Sequence, residues 1–194
     1  YAKGLFYKNS CNIPMILLPP ANNSEIKTNI VDDRLVVQAD IFPTIADLCD
    51  LPIPESVEGL SMLGTNKRDY IYGELWEDPR ATRMIRDKQY KLIYYPAGNK
   101  FQLFNLHKDP TENQDLFGDP KYSNIISRLS KIMINNLYGT DLKWVRNNKL
   151  VGMVDPDPNV AYANPGRSFG NQRGLRFSHS GKQLENPKNS SSFR

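Results

Sequence analysis

The chain of 194 residues is 39% hydrophobic and 10% aromatic, a globular composition that excludes disorder throughout. Its net charge of +4 is uneven, because residues 145–194 hold eight basic and three acidic side chains and everything before them stands at −1. Those basic residues are scattered among Gly, Asn, Pro and Ser rather than clustered on a structured element, which argues against nucleic-acid binding, and no segment reaches the roughly 18 apolar residues of a membrane span.

Residues 12–20 contain the run Ile13-Pro14-Met15-Ile16-Leu17-Leu18, which lacks polar alternation and is bounded by prolines. It predicts a short strand buried on both faces, as in a parallel sheet flanked by helices. Residues 21–33 are polar and Asn-rich, a surface loop. Ile41, Ile45, Ala46 and Leu48 recur at helical spacing with Pro43 near the first turn, so a helix is expected over residues 40–49, packed on the preceding strand. Its first residues show no charged stretch followed by an apolar one, so no targeting signal is read at Tyr1.

After a Pro-bearing connector over residues 51–58, short runs rich in Tyr, Ile and Leu occupy 69–75, 82–86, 90–95 and 101–106. Asp78-Pro79, Asp87-Lys88 and Gly98-Asn99 supply turn chemistry between them, which predicts a four-stranded antiparallel meander. Asp119 is a candidate N-cap ahead of Pro120, and Ile125, Leu129, Ile132, Met133 and Leu137 form one apolar stripe before Gly139. That helix should cover one face of the meander. From Val145 onward periodicity stops, so residues 145–194 are expected to form an extended or partly disordered tail. The chain thus divides into residues 1–64, 65–144 and 145–194. Cys11 and Cys49 are too few for a disulfide scaffold and lack zinc spacing; they are two buried free thiols or one bridge.

Several of these segments, in order, resemble the sulfatase family of the alkaline-phosphatase-like superfamily. Lys3, Tyr7, Ser10 and Ile13-Pro14-Met15-Ile16 match the spacing of its lysine-bearing segment, with Lys8 where an acidic residue is usual and Asn12 where Arg is usual. Asp40-Ile41-Phe42-Pro43-Thr44-Ile45-Ala46-Asp47-Leu48, followed by Gly59-Leu60-Ser61, is similar to its Asp-Leu-x-Pro-Thr-Leu-x-Asp-Leu helix and Gly-x-Ser. Arg83-Met84-Ile85-Arg86-Asp87-Lys88-Gln89-Tyr90-Lys91-Leu92-Ile93 resembles its paired strands, and Leu103-Phe104-Asn105-Leu106-His107-Lys108-Asp109-Pro110-Thr111-Glu112-Asn113 resembles its Asp-Pro-x-Glu turn. Lys149-Leu150-Val151-Gly152 and Asn171-Gln172-Arg173-Gly174-Leu175 are similar to the ends of some members.

The resemblance implies an α/β fold: the end of a large mixed sheet, then a small four-stranded antiparallel sheet with a packed helix. It further implies hydrolysis of a small-molecule or saccharide sulfate ester by a formylglycine hydrate, with a divalent cation, usually Ca2+. Neither Cys11 nor Cys49 lies in the required Cys/Ser-x-Pro-x-Arg context, so nucleophile and cation ligands are expected outside this segment. A phosphonate or phosphate ester hydrolase of the same superfamily, or a noncatalytic homologue, are the alternatives. Family members are often periplasmic, secreted or lysosomal, and Asn22-Asn23-Ser24 and Asn189-Ser190-Ser191 fit the glycosylation pattern.

Lys3 matches the lysine that contacts the substrate sulfate, where a fixed ammonium stabilises charge building on sulfate oxygens. His107 and His179 have the near-neutral pKa that suits proton transfer, but one occupies a surface turn and the other the tail. Asp32-Asp33 and Glu77-Asp78 could meet a cation, yet adjacent carboxylates in polar loops read as solvated, and no metal ligand is assigned. Trp76 and Arg80 offer an aromatic face beside a cation, suited to an anionic aryl or sugar ester; ordinary packing of Trp76 on the sheet is the competing reading.

Overall fold

Two rows of side chains running across neighbouring strands set the architecture. In a computed structural model, which describes residues 5–18, 26, 29–77 and 80–155, four strands pair in sequence order as an antiparallel meander. They are β1 (Ile71–Leu75), β2 (Thr82–Arg86), β3 (Tyr90–Tyr95) and β4 (Lys100–Asn105). The middle two have the bounds the sequence predicts; the first starts two residues later and the fourth is shifted by one. The register places Tyr72, Ile85, Leu92 and Leu103 in one row and Gly73, Met84, Ile93 and Gln102 in the next. Successive residues point to opposite faces, so both faces of the sheet carry apolar side chains and both need cover.

The first face is covered by α3 (Ser123–Asn136), which buries Leu129 and Met133 against Ile85, Leu92, Tyr94 and Leu103. As the sequence predicts, Asp119 caps the entry: its Oδ1 accepts the Lys121 N–H at 3.0 Å, and Pro120 opens a 3-10 turn through Tyr122. The helix ends at Asn136, ahead of Gly139, whose φ of +56° instead starts a 3-10 stretch, Gly139–Trp144. That stretch inserts Asp141 and the fully buried Trp144 beneath the sheet.

The expected tail is ordered at its start. β5 (Val145–Arg146) and β6 (Lys149–Leu150) form a hairpin whose Asn147 and Asn148 have φ of +51° and +56°, as a tight two-residue turn demands. Met153 then bridges Ala97. Strands of two residues are too short to leave any alternation in the sequence. Residues 156–194, with His179 and the 171–175 match, lie outside the described residues, as do Lys3 and both glycosylation-like triplets.

The expected strand over residues 13–18 does not form; Ile16 and Leu18 are 82% and 83% exposed. A strand buried on both faces needs neighbours, and none of the described strands lies beside it. The expected helix does form as α2 (Ile41–Leu48), after a 3-10 turn over Gln38–Asp40. It does not pack on a preceding strand: Phe42, Ile45 and Leu48 face solvent, while Pro43, Thr44 and Ala46 turn inward. The segment 59–62 lies against it, with Leu60 N–H on Asp40 Oδ1 at 2.8 Å and Met62 N–H on Thr44 Oγ1 at 2.9 Å. A Cβ at Gly59 would fall 2.1 Å from the Ala39 carbonyl oxygen, so this contact requires glycine. Cys11 and Cys49 are free and exposed, neither buried nor bridged.

Candidate functional site

The second face of the sheet carries Met84, Ile93, Tyr95 and Phe104, and its cover comes from the start of the chain. Phe6 lies where a Cβ on Gly73 would meet its ring at 2.8 Å, so the glycine in β1 makes room for it. The Tyr7 ring stands edge-on to Phe104 with centroids 6.0 Å apart, and its hydroxyl donates to Gln102 Oε1 at 2.6 Å. Tyr95 Oη donates to the same oxygen at 3.1 Å. Residues Lys8–Cys11 then make one helical turn, α1.

Beneath this segment lies an ion pair between Lys91 and Glu112, 2% and 1% exposed. Lys91 Nζ also donates to the Phe6 carbonyl at 2.8 Å, and Glu112 Oε2 accepts the Lys8 N–H at 2.7 Å. The turn after β4 delivers the glutamate. Asn105 Oδ1 accepts the N–H groups of His107 and Lys108, both at 3.2 Å, and Asp109 Oδ2 accepts Gln114 N–H at 2.7 Å. Glu112 itself has a φ of +58°, uncommon without glycine, which turns its carboxylate inward. His107 is exposed on this turn, as the sequence suggests.

At the other edge of the sheet, Trp76 follows β1 with a φ of +59° and is 37% exposed. The Arg80 guanidinium lies over its ring, 5.5 Å from the centroid, so the two candidate substrate residues are brought together. Arg83 holds this loop from below: Nη1 donates to the carbonyls of Trp76 at 3.0 Å and Leu75 at 3.3 Å. Its Nε donates to Asp141 Oδ2 at 2.6 Å, and the guanidinium rests on Trp144, 5.2 Å from the ring centroid. Tyr138 Oη donates to Glu74 Oε1 at 2.6 Å, an acceptor that raises the phenol's pKa.

Among the described residues, no three His, Cys, Asp or Glu side chains gather as a cation site. Asp32 is engaged by Arg34, whose Nε donates to Oδ2 at 2.7 Å, and Asp78 lies outside the described residues. Among the described residues no helix is long and apolar enough to cross a membrane. Lys91, Glu112, Arg83 and Asp141 were not legible as site residues, because a single charge within a strand or turn reads as solvent-facing.

Residues 1–138 match the family described as N-sulphoglucosamine sulphohydrolase, C-terminal. The chain belongs to this sulfatase family. It is similar to an arylsulfatase of Clostridium perfringens, 32% identical over 157 residues that cover 78% of this chain and 33% of that protein. It is also similar to a Delta 4,5-hexuronate-2-O-sulfatase of Bacteroides thetaiotaomicron, 28% identical over 174 residues, covering 83% and 34%. The solved structure of a 2-O GAG sulfatase superposes with a TM-score of 0.50 at 26% identity, over 60% of this chain and 27% of that one. The sulfatase chain spans about a third of the length of these curated relatives. Its fold is α/β, alkaline-phosphatase-like, and the described meander with its helix forms the small antiparallel sheet of that fold.

Proposed function

We propose that this chain is the C-terminal part of a sulfatase that hydrolyses sulfate esters, with formylglycine and a divalent cation, Ca2+ by family resemblance, held by residues outside it. The observation that carries the reading is the family match over residues 1–138, which includes the lysine-bearing start of the chain. Formylglycine and a divalent cation, held by residues outside this chain, would supply the attack on sulfur. From this chain, the Lys3 ammonium stabilises charge on the nonbridging and leaving oxygens as the S–O bond breaks. Trp76 and Arg80 give an aromatic face beside a cation, which suits a sugar ring carrying an anionic group. A sulfated saccharide is accordingly the substrate class, in keeping with the hexuronate and GAG sulfatases among the similar proteins.

The test is release of inorganic sulfate from an aryl sulfate by the complete gene product, with and without chelator. Chelator-sensitive release, lowered by about 100-fold or more in Lys3→Ala, is expected. Hydrolysis of an aryl phosphonate or phosphate ester in its place, read as release of the phenol, would reject the sulfatase reading. Trp76→Ala is expected to lower kcat/KM for a saccharide sulfate by about five- to thirtyfold, with less loss for a small aryl sulfate. An unchanged ranking of the two substrates would return Trp76 to a packing role.

A further inference from the structure

Among the described non-glycine residues with a positive φ, Asn29, Asp50, Asn99, Asn147 and Asn148 are of the two types that tolerate it. Trp76, at +59°, is the aromatic exception. A turn that needed only this backbone shape would be served by glycine, without steric cost. Packing does not account for the tryptophan either: it is 37% exposed and belongs to neither apolar cluster of the sheet. Such a conformation persists only where the surroundings over-determine it, and residues held in this way gather at ligand sites.

The surroundings here are Arg83 and Asp141. Nη1 of Arg83 donates to the carbonyls of Leu75 at 3.3 Å and of Trp76 at 3.0 Å, the peptide groups on either side of the Trp76 Cα. Two fixed peptide planes leave that residue no free backbone dihedral, so the direction of its Cα–Cβ bond is set. The same nitrogen donates to the Thr82 carbonyl at 3.0 Å, which closes the loop between β1 and β2 on one point. Asp141 Oδ2 takes Nε at 2.6 Å, and the guanidinium rests on the fully buried Trp144, so Arg83 itself has little freedom to move.

We infer that Arg83 and Asp141 are positioning residues that hold the Trp76 ring, with the Arg80 guanidinium over it, ready for a saccharide, and so set the preference for saccharide over aryl sulfates. The inference rests on the reading of Trp76 as a saccharide contact. Arg83 and Asp141 are 3% and 5% exposed and do not themselves touch substrate. What they supply is preorganisation: a ring fixed before binding loses little freedom when the sugar arrives. Lysine at position 83 would keep the charge opposite Asp141, but its ammonium cannot span the carboxylate and both loop carbonyls.

The experiment is a double-mutant cycle of Arg83→Lys and Trp76→Ala in the complete gene product, with rates normalised to the folded fraction by circular dichroism. The substrates are a 2-O-sulfated hexuronate disaccharide and a small aryl sulfate. Arg83→Lys is expected to lower kcat/KM for the disaccharide about three- to tenfold, mainly through KM and by no more than Trp76→Ala does, with less loss for the aryl sulfate. In the Trp76→Ala background it should lower the disaccharide rate further by less than about twofold, because the ring it positions is already gone. Amides of Trp76 and Glu77 should exchange about tenfold faster with solvent deuterium in Arg83→Lys, while those of β3 keep their rates. If Arg83→Lys does not fold, Asp141→Asn leaves an acceptor for Nε without the charge, and a loss of about two- to fivefold with the same non-additivity is expected. Equal losses on both substrates, or multiplicative losses with Trp76→Ala, would overturn the positioning role while leaving Trp76 as a saccharide contact. A wild-type enzyme that hydrolyses only the aryl sulfate, or an unchanged ranking in Trp76→Ala, would overturn the reading of Trp76 itself, and the positioning role with it.

Discussion

Arg83→Met is expected to cost about 3–5 kcal/mol of stability, the range for breaking one side of a buried ion pair. Arg83 and Asp141 are 3% and 5% exposed, and the substitution leaves the Asp141 carboxylate without the guanidinium it meets at 2.6 Å. The carbonyls of Leu75, Trp76 and Thr82 lose a donor at the same stroke. The loss is therefore larger than that of a surface pair, which is worth at most about 1 kcal/mol. Urea unfolding of the complete protein measures it. Arg83→Met with Asp141→Leu should recover much of the loss, because the orphaned charge is gone and the site lies against Trp144 and Tyr94. Arg83→Lys should fall between, since an ammonium cannot serve the carboxylate and the loop carbonyls with one planar fork. A single substitution that costs under about 0.5 kcal/mol would sink the argument that this pair holds the Trp76 loop.

The strands were legible because burial on both faces leaves short apolar runs between turn residues. In Tyr90–Tyr95, Leu92 and Tyr94 face α3 while Ile93 and Tyr95 face the chain start, and an apolar run between turn residues is what such a two-sided strand leaves in sequence. The Asp119-Pro120 cap was legible because its chemistry is local, two residues from the amide it satisfies. The Lys91–Glu112 pair was not, since its meaning lies in contacts 85 and 104 residues away and in a φ of +58° that nothing in Thr111-Glu112-Asn113 announces. Trp76 and Arg80 could be named together from spacing, but the positive φ at Trp76 and the buried arginine beneath it could not. The run over residues 13–18 misled for a related reason. Its composition reports burial on two faces, and burial is a property of neighbours that the described residues do not supply.

Asp40→Asn is expected to destabilise the protein by about 3 kcal/mol and to flatten its loss of stability in acid. Asp40 is 1% exposed and joins three separate pieces of chain: it accepts Val37 N–H at 2.9 Å and Leu60 N–H at 2.8 Å, and it pairs with Arg68 through both oxygens. Burial pushes its carboxyl pKa up, but the Arg68 guanidinium and the two amides outweigh it and hold the group below the ordinary aspartate value. With the folded pKa below the unfolded one, near 3.9, the stabilisation is fully present above about pH 5 and is lost as pH falls through the folded value. Asparagine cannot titrate, so its unfolding free energy should lack that part of the acid slope, while Arg68, left without a counter-charge, accounts for the deficit at neutral pH. Loss of a helix cap alone would cost only about 1 kcal/mol, so a deficit that small would mean that Arg68 finds another acceptor, such as the Leu35 carbonyl it already meets at 3.2 Å. An unchanged acid slope would assign the titration to Asp32, held low by Arg34, or to Asp109, where burial is outweighed by the Gln114 amide. Those carboxylates lie nearer solvent, so their share should fade with added salt, and Asp40's should not.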